Sequence, residues 1–207
     1  MLKGFRILVL GLFLSLSLQA QNKNGFSSLS GPEKWWVMFH PFKAKKALNI
    51  SLRTIQVRDS IKNSGIIGSD DSGGRLDAFK HTFWMAGLAL EIGSKSAFKL
   101  GKAHEKGNYK SYLKGDPEDG VLPDKAASDM DLFNNKQGIS IARSHPDATE
   151  NELITIILDE LNKGSLKIIR KESGIFLNCQ GEPLDPETLL GTWENDKCLI
   201  PSNFLNP

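Results

Sequence analysis

Residues 76–92, with the sequence LDAFKHTFWMAGLALEI, decide the fold class. The stretch is strongly helical in character and Gly93 follows it at once, which predicts a helix that ends there. Asp77 and His81 are four residues apart, so both point to one face of this helix. Trp84 and Leu88 continue that face toward the interior. The spacing therefore predicts a partly desolvated carboxylate–imidazole pair, or two ligands of one metal ion.

Helix signals recur on both sides of this stretch. Ser30 and Glu33, and again Thr149 and Glu152, have the spacing of a capping box. After Gly164, residues 166–170 and 175–177 flank a turn and suggest a small hairpin. We expect an all-α fold, a single multi-helix domain over residues 30–164, with a C-terminal hairpin and tail over residues 165–207. Helices are expected near residues 30–40, 42–62, 76–92, 95–105, 125–143 and 149–163.

The first 20 residues have the pattern of a secretory signal peptide. Lys3 and Arg6 are followed by an uncharged apolar run over residues 7–18, and Ala20 supplies a small residue at the expected cleavage point. The run is shorter than the roughly 20 apolar residues that a membrane-spanning helix needs. We expect a periplasmic or secreted protein that starts with a flexible lead at residues 21–29. An uncleaved N-terminal anchor is the alternative.

Charge and cysteine content agree with that expectation. The chain has 26 Lys+Arg and 24 Asp+Glu. Loss of Lys3 and Arg6 with the signal peptide would leave the two signs equal, and a nucleic-acid-binding face would need a basic excess. Cys179 and Cys198 lie in a Gly- and Pro-rich tail. In an oxidising compartment this pair favours a disulfide, the alternative being two partly buried thiols.

Two further segments carry candidate site residues. His104 and Glu105 lie at the end of the helix expected near residues 95–105. The inner side of that helix is apolar, so His104 is either a hydrogen-bonded core residue or a ligand. In the segment SDMDLFNN, residues 128–135, a helix places Asp131, Asn134 and Asn135 on one side. Asp and Asn are poor formers of helix interiors, which suggests that these side chains have partners. Gly138 on the same side would allow a backbone or a ligand to come close.

Together these segments resemble a bacterial domain family of unknown function. Its members carry D-A-F-R-H-x-x-W-x-A, then H-E, then M-D-L-x-N-N-x-x-G. This chain has DAFKH with Trp84, then His104-Glu105, then MDLFNN with Gly138, and the likeness spans residues 30–143. Lys80 stands where the family has Arg, and a lysine offers a point charge instead of a bidentate fork. The resemblance singles out residues without naming a reaction.

We expect the three segments to meet in a shallow active site of a hydrolase that acts on a lipid, cell-wall or peptide bond in the cell envelope or outside the cell. Two histidines with carboxylates suit a divalent metal such as zinc. Alternatively, His81 acts without a metal as a general base that Asp131 orients. The candidate metal ligands are Asp77, His81, His104 and Asp131, the catalytic candidates are His81, Glu105 and Asp131, and the substrate-binding candidates are Trp84, Asn134 and Asn135.

A non-catalytic protein is the competing hypothesis. The same His, Asp and Asn side chains would then form a fully hydrogen-bonded buried network in a structural or binding domain. A toxin or immunity role is a third alternative. Trp35-Trp36-Val37-Met38-Phe39, followed by lysines at 43, 45 and 46, is expected to pack the first helix onto the core, and a membrane-surface element is the other interpretation of that segment.

Overall fold

The computed structural model describes residues 26–116 and 122–204. It is mostly helical with a small C-terminal β element, which confirms the expected fold class. The predicted signal peptide and the first part of the flexible lead lie outside these residues. The helices are α1 (Gly31–Phe39), α2 (Pro41–Ser64), α3 (Arg75–Ile92), α4 (Ser94–Lys114), α5 (Lys125–Ser144), α6 (Glu150–Lys163) and, in the tail, α7 (Pro186–Leu189).

Helix α3 lies at the centre of the fold. It packs against α2, α4, α5 and α6, and Leu76, Phe79, Met85 and Leu88 are completely buried along it. A helix that is apolar on most sides belongs in the interior of a protein. This explains why residues 76–92 determine the architecture and why Asp77 and His81, which share the helix, are buried with it.

The contact between α3 and α5 is a backbone-to-backbone approach. A methyl group at Gly138 of α5 would lie 2.2 Å from the Thr82 carbonyl oxygen and 3.0 Å from the Ala86 nitrogen of α3. Only a hydrogen atom fits there. The glycine therefore allows α5, with Asp131, to lie directly against α3, with Asp77 and His81.

Helix α4 is longer than the sequence predicts. The prediction ended it near Glu105 because of Gly107, yet the helix continues to Lys114. A Cβ atom at Gly107 would lie 2.4 Å from the Ser30 hydroxyl oxygen. The glycine is therefore a point of close packing between α4 and the N-cap of α1, and it does not end the helix.

The C-terminal strands pair differently from the single hairpin expected. Strand β2 (Lys171–Glu172) and β3 (Ile175–Phe176) form a short hairpin at the predicted turn. Strand β1 (Lys167–Ile169) pairs instead with β4 (Leu199–Pro201), near the end of the chain. Strands β1 and β4 form a two-stranded antiparallel sheet, and β1 packs on α3 and α5. The tail thus closes onto the helical domain.

A disulfide joins Cys179 to Cys198, as expected. It ties the segment after β3 to the residue that precedes β4. In the part of the chain that the structure describes, no helix has the length and apolar character needed to cross a membrane.

Candidate functional site

A polar cleft of about 320 Å³ opens between α3, α4, α5 and the C-terminal β segment. Its lining includes Asp77, His81 and Asp131 from two helices, together with His104 of α4 and Lys197 of the tail. A more open surface hollow of about 550 Å³ lies beside the turn between α5 and α6. It does not contain these residues, so we place the candidate site in the polar cleft.

Asp77, His81 and Asp131 form the centre of the site. The His81 Nε2 atom lies 3.5 Å from Asp77 Oδ1 and 3.4 Å from Asp131 Oδ1. All three side chains are buried, and one ligand atom from each lies within 4.8 Å of the other two. Two ligand atoms at 2.0–2.2 Å from a tetrahedral ion are roughly 3.3–3.6 Å apart. The two distances from His81 therefore match those of ligands that share one ion, while the two carboxylate oxygens lie up to 4.8 Å apart.

The Asp77 carboxylate is held on both of its oxygens. The Gly73 N–H donates to Oδ2 at 2.7 Å, and the Lys80 ammonium lies 2.7 Å from Oδ1. The loop before α3 and the next turn of α3 therefore orient this carboxylate toward His81. Lys80 acts here as a point charge on one oxygen.

The surroundings of His81 favour the neutral form of its imidazole. Burial lowers the pKa of its imidazole well below the ordinary value, the charges of Lys80 and His104 lower it further, and the Asn135 side chain acts in the opposite direction. A metal-ligating imidazole must be neutral. The buried position of His81 therefore suits a ligand better than a charged group.

His104 lines the cleft but binds a different carboxylate. Its Nδ1 atom lies 3.1 Å from Glu33 Oε1 of α1, and its ring centroid is 6.2 Å from that of His81. Burial acts to raise the pKa of Glu33, but hydrogen bonds from His104 and Ser30 and the charge of His104 outweigh it, so the pKa is lowered. His104 is thus one half of a carboxylate–imidazole pair beside the three-residue centre.

Glu105 lies one layer behind the cleft. Its Oε2 accepts hydrogen bonds from the Ser128 hydroxyl at 2.7 Å and from the Asn108 amide at 3.3 Å. Ser128 and Asn108 line the cleft, whereas Glu105 does not. The structure therefore gives Glu105 contacts that position two cleft residues.

The three expected substrate-binding residues also face inward. The Asn134 side-chain amide donates to the Lys167 carbonyl at 2.9 Å, and its oxygen accepts from the Lys167 N–H at 2.9 Å. These two hydrogen bonds join α5 to β1. Asn135 is buried beside His81. The Trp84 ring contacts His81 and His104 edge-on, and its Nε1 donates to Ser51. These side chains support the cleft from behind.

Sequence reasoning missed Glu33 and the pair formed by Lys197 and Asp124. Glu33 was interpreted as a helix cap, which it is, since Ser30 N–H donates to its Oε2 at 2.8 Å. Its other oxygen holds His104. Lys197 and Asp124 are an ion pair at the cleft, and both side chains are buried. The sequence gives no local signal for that pair because 72 residues separate its members.

Fold and site together define a helical protein with a buried carboxylate–histidine centre in a polar cleft. The chain belongs to the family described as Domain of unknown function (DUF6973), whose family model matches residues 34–165. This match confirms the resemblance to a family of unknown function, and its span includes all three motifs. No curated protein and no solved structure shows significant similarity to the chain.

Proposed function

We propose that the protein is an exported hydrolase that binds a divalent metal ion such as zinc through Asp77, His81 and Asp131. The observation that carries the proposal is the spacing of His81 Nε2 from one oxygen of each carboxylate, 3.5 and 3.4 Å. Three protein ligands with room for water are typical of catalytic zinc. The open cleft beside the three residues provides that room.

Such an ion would supply a water molecule that is acidic enough to deprotonate near pH 7. His104 and Glu33 then form the proton-transfer pair, because Glu33 holds the imidazole in one orientation at the cleft wall. Glu105 is a positioning residue in this scheme, since it acts through Ser128 and Asn108. The substrate is a lipid, cell-wall or peptide bond of the cell envelope.

Export is the second part of the proposal. The pattern of residues 1–20 supports it, and so does the disulfide between Cys179 and Cys198, because disulfides persist in oxidising compartments. Intact-mass analysis of the protein recovered outside the cytoplasm should place its N-terminus at or near Gln21. Retention of residues 1–20 on that protein would contradict cleavage.

One observation favours the non-catalytic alternative. The Lys80 ammonium, 2.7 Å from Asp77 Oδ1, already compensates one of the two carboxylates. In a structural network no metal is then required, and His81 simply lies between two hydrogen-bond acceptors. The two hypotheses differ in whether the purified protein binds a metal.

Zinc titration of the chelator-stripped protein tests the proposal. Calorimetry should show one site in the wild type, and His81→Ala and Asp131→Asn should lose affinity by at least about tenfold to a hundredfold. Asp129→Asn is the matched control, because Asp129 lies on the same helix but pairs with Lys125. It should bind zinc like the wild type.

Release of nitrophenol from p-nitrophenyl acetate and from bis(p-nitrophenyl) phosphate then distinguishes carboxyl-ester from phosphoester hydrolysis. A wild type that binds no zinc would overturn the metal proposal. In the structural alternative, both site variants would also unfold more easily, by roughly 1–3 kcal/mol per stranded polar group, with no effect of chelator on the wild type.

A further inference from the structure

The turn from α1 to α2 exposes four large apolar side chains. Trp35, Met38, Phe39 and Phe42 are 59, 58, 71 and 92% exposed. We call these four residues the aromatic corner. The expectation that residues 35–39 pack onto the core holds for Trp36, which is buried, but it is wrong for Trp35, Met38 and Phe39. Contiguous exposed apolar side chains of this size mark a surface that binds a partner or a membrane.

The geometry of α1 explains which side chains point outward. Trp35, Met38 and Phe39 are spaced by three and four residues and so share one face of the helix. The Trp35 and Phe39 rings stack at 5.7 Å between centroids. Trp36 is on the other side of α1, and Phe42 follows Pro41 at the start of α2. The outward face is therefore a property of regular helix geometry.

The corner is firmly attached from within. The Trp36 indole N–H donates to the Ser96 carbonyl at 3.2 Å. The Lys43 ammonium donates to the Ile92 carbonyl at 2.8 Å and to the Ser96 hydroxyl at 2.6 Å. These bonds join both helices of the corner to the junction of α3 and α4. The aromatic corner is thus presented by a fixed scaffold.

Lysines flank the aromatic corner along the sequence. Residues 31–49 contain Lys34, Lys43, Lys45 and Lys46 but only one acidic residue, Glu33, which is turned toward His104. Lys45 is exposed beside the corner, whereas Lys46 shares its charge with Glu91 of α3. Aromatic and aliphatic side chains flanked by lysines suit the interface of a membrane with anionic lipids.

We propose that the aromatic corner docks the protein onto a membrane surface that contains anionic lipids. The apolar side chains insert among the lipid headgroups, and Lys34 and Lys45 remain at the anionic headgroups. A second copy of the chain fits this surface less well, because a symmetric contact would bring the lysines of both copies together. The inference does not depend on the metal site or on hydrolysis.

Vesicle flotation of the purified full chain tests the inference. Wild type should float with vesicles of phosphatidylglycerol and phosphatidylethanolamine and bind phosphatidylcholine vesicles more weakly. Phe39→Ser/Phe42→Ser should reduce the partition coefficient by about tenfold or more, since two aromatic side chains that would enter the lipid interface are lost. Leu113→Ser/Leu190→Ser is the matched control, because these two leucines are similarly exposed elsewhere. It should float like the wild type.

Lys45→Glu is a second variant, which changes charge without touching the apolar side chains. It should weaken binding to the anionic vesicles and leave binding to phosphatidylcholine unchanged. Intact mass should show the same N-terminus in all variants, so that residues 1–20 contribute equally. Three results would each overturn the inference: no flotation of wild type, equal flotation of the Phe39/Phe42 variant, or a wild-type dimer that this variant dissociates without any change in flotation.

Discussion

The Asp77 Oδ1 atom has two neighbours that compete for it. The Lys80 ammonium lies 2.7 Å away and the His81 Nε2 atom 3.5 Å away. An ion bound at this carboxylate would share the oxygen with the ammonium or displace it. Lys80 therefore opposes metal binding by charge.

Replacing Lys80 by Met should strengthen zinc binding. The substitution removes a positive charge close to the ion and keeps much of the side-chain volume, so affinity should rise by about tenfold. Lys136→Met, on the exposed side of α5, is the control and should leave affinity unchanged. Calorimetric titration of the three proteins measures the difference. Equal or weaker binding by the Lys80 variant would contradict a metal site at Asp77.

The Glu33 and His104 pair predicts a dependence of stability on pH. Because the pKa of Glu33 is lowered from 4.5 in the folded protein, the unfolded chain takes up the proton first as the pH falls. The stabilisation is therefore present above about pH 4.5 and is lost as the pH falls through the folded pKa. Urea unfolding of wild type at neutral and at acidic pH should show this loss.

Glu33→Gln should remove most of that acid-dependent loss and should cost about 1 kcal/mol at neutral pH. The matched control is Glu152→Gln, since Glu152 has the same capping-box position on α6 and interacts with His145 only through its charge, the smallest of the causes that lower its pKa. Glu152→Gln should change the acid-dependent loss of stability less than Glu33→Gln does. An equal effect of the two substitutions would show that capping alone explains Glu33.

Much of the site centre was predictable at the level of single residues. The spacing of Asp77 and His81 and the run of polar residues around Asp131 both point inward by helix periodicity alone. Glu33 was not predictable, because its capping role already accounts for the residue. The second role, at His104, depends on how α1 lies against α4.

The longer elements were predictable because each carries its own signal. Capping residues precede α1 and α6, and glycines follow α2, α3 and α6. Gly107 misled the prediction because a glycine indicates both a helix end and a close contact. The partner of β1 was hidden because a three-residue strand has almost no pattern of its own, and residues 199–201 lie far along the chain.

Asn134 should be a structural link between α5 and β1. Asn134→Ala removes two hydrogen bonds to the Lys167 backbone, each 2.9 Å long, and leaves an N–H and a carbonyl without their partner. Stability should fall by about 2 kcal/mol or more, with zinc affinity unchanged. Asn49→Ala, on the exposed side of α2, should change stability little. Unchanged stability with lost activity would instead assign Asn134 to substrate binding.

Across the whole molecule, the disulfide holds the C-terminal tail against the cleft. Cys198 follows Lys197, which pairs with Asp124 of the cleft lining. The tail has few regular elements, so the covalent bond limits the freedom of the unfolded chain where local structure contributes little. It also keeps a charged residue of the cleft in place.

Replacing both cysteines by serine should lower the free energy of unfolding by about 3 kcal/mol, given a loop with a sequence separation of 19. Guanidinium unfolding of the oxidised wild type and of the Cys179→Ser/Cys198→Ser protein measures the loss. Reducing agent should destabilise the wild type by a similar amount and should leave the double variant unchanged. Equal stability of the two proteins would mean that the tail is held by its other contacts.

The close packing of α5 on α3 at Gly138 affects the radius of the ion that the proposed metal site could hold. A methyl group there would lie 2.2 Å from the Thr82 carbonyl oxygen, so any larger residue must move α5 away from α3. The donor atoms of Asp131 and His81 would then separate. Zinc requires ligands at about 2.0–2.2 Å, whereas calcium accepts oxygen ligands at about 2.3–2.6 Å. In the proposed metal site, residue 138, two helical turns from Asp131, would therefore limit the size of the cation that Asp77, His81 and Asp131 could hold.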